Sequence, residues 1–336
     1  MVVVQSYVLA VFLCFVTMLC WGSWANTQKL ASKEWRFQLF YWDYAIGVFL
    51  FTLAFAGTFG SIGSVGRSFV LDLGQASTAA LGLAFLGGVV FNLANILLVA
   101  GIDIAGMAVA FPVGIGLAMV EGVLINYIFT PVGNRLLLFL GVAGVVLAMI
   151  MSALAYSRIP SQGQKTIGKG LLLSIVAGIL MGIFFFLVAA SMARSLPDGN
   201  LEAGRLSPYT ALVLFSAGLL LSNFVLNSLI MVRPFVGDPV PFGDYFTKGN
   251  LRLHLIGILG GVIWSIGMSL SILASSAAGF AISYGLGQGA TMIAAFWGVF
   301  IWKEFRAAPA GTSLLLTLMF VFFIVGLGLI VVARIA

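Results

Sequence analysis

The 336-residue sequence is 62% hydrophobic and only 8% charged, with a formal net charge of +6. A soluble domain carries about a quarter charged residues, so this chain cannot cover a water-facing surface, and lipid is its expected solvent. The positive balance is spread over short connections and reads as membrane topology rather than as a nucleic-acid surface.

Apolar runs of about 20 residues recur along the chain, each long enough to cross a hydrocarbon core of roughly 30 Å. They do not alternate apolar with polar residues, so they predict helices and not a transmembrane barrel. The pattern predicts ten spans, at 6–27, 38–59, 78–101, 104–129, 135–156, 169–193, 208–232, 252–275, 277–302 and 310–333. The expected fold class is an all-α membrane protein. The N-terminus has no basic region and no small-residue cleavage site, so the first span is expected to be a retained helix rather than a signal peptide. Cys14 and Cys20 both lie in that span. Six helical residues rise roughly 9 Å, so no disulfide is expected between them. The loops at 194–207 and 233–250 are too short to form a soluble domain.

Span one ends with Trp21 and Trp24 on the helical face of Thr17. The two indoles fit either a site that stacks on a ring or an interfacial aromatic belt. Span two opens Tyr41-Trp42-Asp43-Tyr44. Asp43 fits a proton site or gate, or a first-turn carboxylate favoured by the helix dipole. Asn92 and Asn95 share a face of span three, where their amides suit either a ligand rich in donors and acceptors or bonds between helices. Asp103 is expected to cap the tight turn after it. In span four, Pro112 frees a backbone carbonyl. Glu121, near mid-depth among small residues, is the leading candidate for proton coupling, ahead of Asp43. Phe184-Phe185-Phe186 reads as lipid-facing packing, and His254 as an interfacial residue. Tyr284, Gln288 and Thr291 lie on one face of span nine, with Gln288 near mid-depth as the foremost ligand contact. Glu304, just after that span, is expected to pair with a cation.

The two halves are related. Leu86–Met119, moved forward 173 positions, falls without a gap on Leu259–Met292 with 11 identities in 34 positions. Residues 1–160 and 161–336 therefore read as two five-helix repeats of one membrane domain. An odd number of spans in each predicts opposite orientations, the inverted repeat of many secondary transporters with a site at the repeat interface. Polar groups present in one copy alone mark the expected substrate chemistry: Asn92 faces Ser265 in the alignment, Asn95 faces Met268, and Gln288 faces Ile115. The odd-numbered loops carry 11 of the 16 Lys and Arg residues. That bias puts those loops in the cytoplasm and both termini outside. With one histidine, no HExxH and no aspartate cluster, the sequence offers no catalytic or metal-ligating set and calls for no cofactor.

Trp21-Gly22-Ser23 late in span one and Lys303-Glu304 after span nine, within ten spans in two halves, resemble the drug/metabolite transporter superfamily. Within it, Tyr41-Trp42-Asp43-Tyr44, Gly87-Gly88-Val89 with Asn95, Leu124-Ile125-Asn126-Tyr127, Gly279, and Gln288 followed by Phe296-Trp297-Gly298 resemble the ureide permeases. The resemblance implies proton-coupled uptake of allantoin, uracil or a related nitrogen-rich ring across the inner or plasma membrane. Partners would be the solute, the proton and the bilayer, with the oligomeric state open between monomer and homodimer. Bacterial glucose/ribose and rhamnose porters are relatives, so a sugar–proton symporter stays as an alternative, as does an exporter. The loop at 157–168 lacks the long insertion of the plant members. Their span-four glutamate falls at Phe111, and Glu121 stands where they are apolar, so the coupling residue does not carry over.

Overall fold

The computed structural model describes residues 1–63, 65–105, 107–159, 167–193 and 201–336. Gly106 of the aligned Leu86–Met119 stretch and, of the 16 Lys and Arg residues, Lys165 and Arg194 lie outside them, as do the side chains of Met107, Ala108, Phe111 and Ile167.

The helices are α1 (Tyr7–Ser23), α2 (Ala25–Ala31), α3 (Phe37–Gly57), α4 (Phe69–Gln75), α5 (Thr78–Ala105), α6 (Met107–Phe129) and α7 (Arg135–Ser157). They continue as α8 (Ile167–Ser191), α9 (Pro208–Val232), α10 (Asp244–Thr247), α11 (Leu251–Ala278), α12 (Phe280–Gly287), α13 (Ala290–Phe296) and α14 (Thr312–Val332). A π-helical turn at Trp297–Ile301 follows α13. Together they supply ten stretches long and apolar enough to cross a membrane. α1 with α2 forms one stretch, and α12, α13 and the π turn form another.

Polar residues mark several helix starts in these apolar runs. Asn134, Ser207 and Asn250 each accept a bond from a backbone N–H in the first turn of α7, α9 and α11. Pro208 occupies the first position of α9, where a missing N–H costs nothing. Two stretches are broken in mid-course, at Trp24 and at Gln288–Gly289. Glycine weakens a helix there for a packing reason. A Cβ on Gly287 would lie 2.8 Å from the Trp21 ring, and one on Gly289 would lie 2.7 Å from Met18.

The packing recurs when the helices of residues 1–157 are exchanged for those of 167–332. α5 packs on α8 as α11 packs on α1, and α5 packs on α9 as α11 packs on α3. α6 meets α8 and α7 as the α12–α13 helix meets α1 and α14, while α3–α9, α7–α14 and α6–α12 exchange into themselves. The match reaches single atoms. A Cβ on Gly88 would fall 1.8 Å from Phe215 O, and one on the aligned Gly261 would fall 2.1 Å from Tyr44 O. These helices touch backbone to backbone, which only glycine allows.

Two sequence expectations change. Asp103 lies inside α5, which runs on to Ala105, and is not a turn cap. Phe184 and Phe185 face the protein interior, with exposures of 2% and 0%, and do not face lipid. His254, read as interfacial, has a partner that the sequence did not suggest: its Nδ1 lies 3.0 Å from Asp43 Oδ1. One end of the bundle is tied by a cluster to which no role had been given. Arg67 Nε donates to the buried Asp72 at 2.8 Å, and its other nitrogens donate to the carbonyls of Leu201, Glu202 and Arg205. Asp72 Oδ2 in turn accepts from Ser207 N at 2.7 Å. The loop after α3 is thereby bonded to the segment before α9.

Candidate binding cavity

A cavity of about 490 Å³ opens at the opposite end of the bundle and reaches its middle. That size suits a small organic solute. The two broken stretches form much of its wall, and Pro112 of α6 lines it as well.

At depth the lining is aromatic. Trp21 stacks on Trp264 at 5.9 Å between ring centroids, and Phe91 lies 4.5 Å from Trp264. Phe184 closes the same region. The indoles are pinned by their N–H groups. Trp21 Nε1 donates to Trp264 O at 3.2 Å, Trp297 Nε1 to Ser23 Oγ at 2.9 Å, and Trp302 Nε1 to Asn26 Oδ1 at 2.7 Å. The rings that line the cavity thus have little freedom left to lose on binding.

Two amides interrupt this apolar wall. Asn95 Nδ2 donates to Tyr41 OH at 3.1 Å, which fixes the side chain and leaves its carbonyl for a ligand donor. Gln288 stands at the break between α12 and α13, 8% exposed, and lines the cavity. Thr291 lines the cavity one turn on, its hydroxyl donating to Gln288 O at 2.9 Å.

The mouth is polar. Lys29 Nζ lies 2.6 Å from Glu304 Oε1 and 4.2 Å from the centroid of the Trp302 ring. Tyr156 OH donates to Glu304 Oε2 at 3.0 Å. Asp103 is exposed along the same rim. Glu304 has the cation partner that the sequence led us to expect.

Of the residues nominated from sequence, Trp21, Trp24, Asn95, Gln288 and Thr291 line this one cavity. The other four stand apart from it. Asn92 Nδ2 donates to Leu219 O at 3.2 Å and Ser222 Oγ at 2.9 Å, between α5 and α9. Its aligned residue Ser265 does the corresponding work, donating to Val48 O of α3 at 3.4 Å. Tyr284 OH donates to Met181 O at 2.9 Å within the core. Glu121 is half-buried with its side chain over Gly182 of α8. Asp43 is buried against Tyr245 and His254. Sequence reasoning missed Phe91, Trp264, Tyr156 and Lys29. Phe91 and Trp264 could have been found, because the repeat alignment sets one aromatic residue on the other.

Comparison with known proteins agrees with this architecture. The family model described as "Ureide permease" matches residues 40–168 and 157–333. "Ureide permease 2" of Arabidopsis thaliana is 24% identical over 387 aligned positions, covering 96% of each chain. "Ureide permease 5" of the same plant is 24% identical over 394 positions, covering 98% of this chain and 95% of its own. Both alignments are longer than 336 residues, so these relatives carry residues that this chain lacks. One solved crystal structure shares the fold, with a TM-score of 0.57, 15% identity and 97% of each chain covered.

Proposed function

The chain belongs to the ureide permease family, and from that premise we propose that this integral, multi-pass membrane protein takes up a small, polar, uncharged solute by alternating access. The solute class is a planar nitrogen-rich ring of the ureide or nucleobase kind, such as allantoin or uracil. The observation that carries this reading is that Asn95, Gln288 and indoles fixed by their own N–H bonds line one cavity. A ring with both N–H and C=O on its edge satisfies both amides while its faces lie on the indoles. A buried site that hydrogen-bonds its ligand rejects analogues that leave its polar groups unpaired.

The two halves are inverted repeats, spanning 1–160 and 161–336. The recurrence of helix pairings on exchange of halves supports this, as does the odd number of spans in each. The surplus of Lys and Arg on the odd-numbered loops supports a cytoplasmic mouth, both termini outside, and residence in the cell membrane. The described conformation is then open to the cytoplasm, and the Arg67–Asp72 cluster closes the outer end. Uptake is coupled to protons through a membrane carboxylate, Glu121 or Asp43.

Thermal-shift screening of the detergent-purified protein tests the solute class, because a ligand that binds only the folded state raises its stability by mass action. The expected result is a rise with allantoin or uracil that Gln288→Ala removes. A rise with sugars alone would assign the protein to sugar symport. A rise with hydrophobic cations alone would make it an exporter.

A further inference from the structure

Asp43 is the most heavily engaged acidic side chain near the mouth end, and the cavity does not use it. Its side chain is 2% exposed, and its carboxylate accepts from Tyr245 OH of α10. His254 Nδ1 of α11 lies 3.0 Å from one carboxylate oxygen and 3.1 Å from the other. The imidazole is itself enclosed, edge-on to Trp35 at 5.3 Å and against Tyr245 at 4.7 Å between ring centroids. It retains 26% exposure, so protons can reach it. A Cβ on Gly257 would lie 2.4 Å from Asp43 Cβ, so the backbone of α11 presses on α3 at this point.

Nearby charges are engaged elsewhere. Lys248 is bonded to Asp244 at 2.8 Å, Arg252 lies 3.7 Å from Glu34, and Lys29 serves Glu304. The groups that α9 offers α3 are neutral: Asn223 donates to Tyr41 O, Asn227 donates to Gln38 O, Ser216 shares a hydrogen bond with Thr52, and Met231 Sδ accepts from Trp42. Among the described residues, His254 is thus the one titratable cation partner of Asp43.

The neighbours of Asp43 on α3 point the other way, into the cavity wall. Tyr41 holds the Asn95 amide, and Tyr44 lies 4.9 Å from the Trp24 ring. The two tyrosines stack on each other at 5.2 Å. One turn of α3 therefore carries the carboxylate on one side and, on the other, two fully buried tyrosines that back the cavity residues Asn95 and Trp24.

We infer that Asp43, His254 and Tyr245 form a proton-binding site outside the cavity, and that its proton sets how α3 presents Asn95 and Trp24 to the solute. The inference rests on the transporter reading above, and it moves the coupling proton from Glu121 to this cluster. Protonated, His254 and Asp43 are an ion pair that clamps α11 and α10 to α3. Deprotonation of the imidazole leaves a buried carboxylate with neutral partners, which weakens the clamp. Reciprocity then requires the solute and the proton to alter each other's binding.

The test compares wild type with Asp43→Asn, His254→Gln and Glu121→Gln in proteoliposomes. Two assays use labelled allantoin: exchange at equal pH, and accumulation driven by an imposed pH gradient. Asp43→Asn and His254→Gln should lose about tenfold or more of the accumulation relative to each variant's own exchange rate, while Glu121→Gln keeps the wild-type ratio. Loss in Glu121→Gln alone, or intact accumulation in the first two, overturns the inference. Wild type that does not exchange allantoin refutes the proposed function instead, and a readout without solute then decides. His254 is the only histidine in the chain, so nitrogen-15 histidine labelling reports its titration directly. The Trp24 indole signal, identified by Trp24→Phe, should move in step with that titration in wild type and stay still in Asp43→Asn. A Trp24 signal indifferent to the state of His254 in wild type overturns the inference whatever the solute.

Discussion

Phe91 and Trp264 occupy the same position in the two halves of the sequence, and their rings lie 4.5 Å apart at the floor of the cavity. In the two-fold relation of the halves proposed above, equivalent residues touch each other only near the relating axis. Their neighbours obey the same exchange: Phe91 meets Phe215 of α9 at 5.6 Å, and Trp264 meets Tyr44 of α3 at 6.4 Å. The cavity floor is therefore the place where the two halves meet. A change of tilt between them would be felt first by a solute resting on these rings.

The glycine contacts beside that floor should behave as a matched pair. Gly88→Ala and Gly261→Ala each push a methyl group into a backbone carbonyl of the opposite half. Neither backbone can move without shifting a whole helix. Each substitution should destabilise the protein by about 1–3 kcal/mol or more. Gly74→Ala in α4, where a Cβ meets nothing within 4 Å, should be neutral or gain about 0.5 kcal/mol. Melting temperatures of the three variants in one detergent check the contrast. Equal effects would mean that the helices are not in backbone contact.

Much of this was legible in the sequence because lipid leaves few ways to satisfy a backbone. Apolar runs of sufficient length had to be helices, and ten were found close to the predicted limits. Trp21, Asn95 and Gln288 stood out as polar or amphipathic groups in apolar surroundings, and they share one cavity. Asn92 stood out for the same reason, yet it serves packing. Its acceptor, the Leu219 carbonyl, lies 127 residues away and leaves no trace in side-chain identity. The alignment of halves set Asn92 against Ser265 as an asymmetry, but both donate to a backbone carbonyl of the opposite half. Asp43 and His254 are 211 residues apart, and no helical periodicity could join them.

The closed end should depend on one buried ion pair. Asp72 is fully buried, and Arg67 is its charged partner as well as the donor to three carbonyls of the segment before α9. Arg67→Ala leaves that carboxylate without its cation, and such losses cost about 3–5 kcal/mol. By contrast, the Lys29–Glu304 pair is 43% and 31% exposed, and Lys29→Met should cost less than about 1 kcal/mol. Thermal unfolding of both variants tests the ranking. A harmless Arg67→Ala would show that the closed end is held by helix packing alone.

Tyr245 should make the protein sensitive to alkali. Burial first, and then the hydrogen bond and charge of Asp43, raise its pKa above the usual 10.0. Its folded-state pKa therefore exceeds the unfolded one. The stabilisation is complete below about pH 10 and is lost as pH rises beyond it. Tyr245→Phe removes this dependence together with the bond to Asp43. The variant should be less stable than wild type at about pH 8, and the gap should narrow by about pH 11. Melting curves across that range decide the matter, and a gap that stays constant would rule out the phenol as its source.

The three nominated amides should separate by what they lose. Asn95→Ala and Gln288→Ala remove groups that face the cavity, so each should weaken solute binding. One net hydrogen bond is worth about 0.5–1.5 kcal/mol, a loss of roughly threefold to tenfold in affinity. Their effect on stability should differ, because Asn95 also holds Tyr41 whereas the Gln288 side chain has no hydrogen bond among the described residues. Asn92→Ala should show the reverse pattern. It removes the bonds that cross from α5 to the Leu219 carbonyl and Ser222 hydroxyl of α9, and should lower the melting temperature while affinity stays within about twofold. Calorimetric titration with allantoin or uracil, run beside thermal unfolding, reads both quantities on each variant. If Asn92→Ala weakened binding as much as Gln288→Ala at unchanged stability, the solute would have to reach between α5 and α9, and the cavity drawn here would be only part of its path.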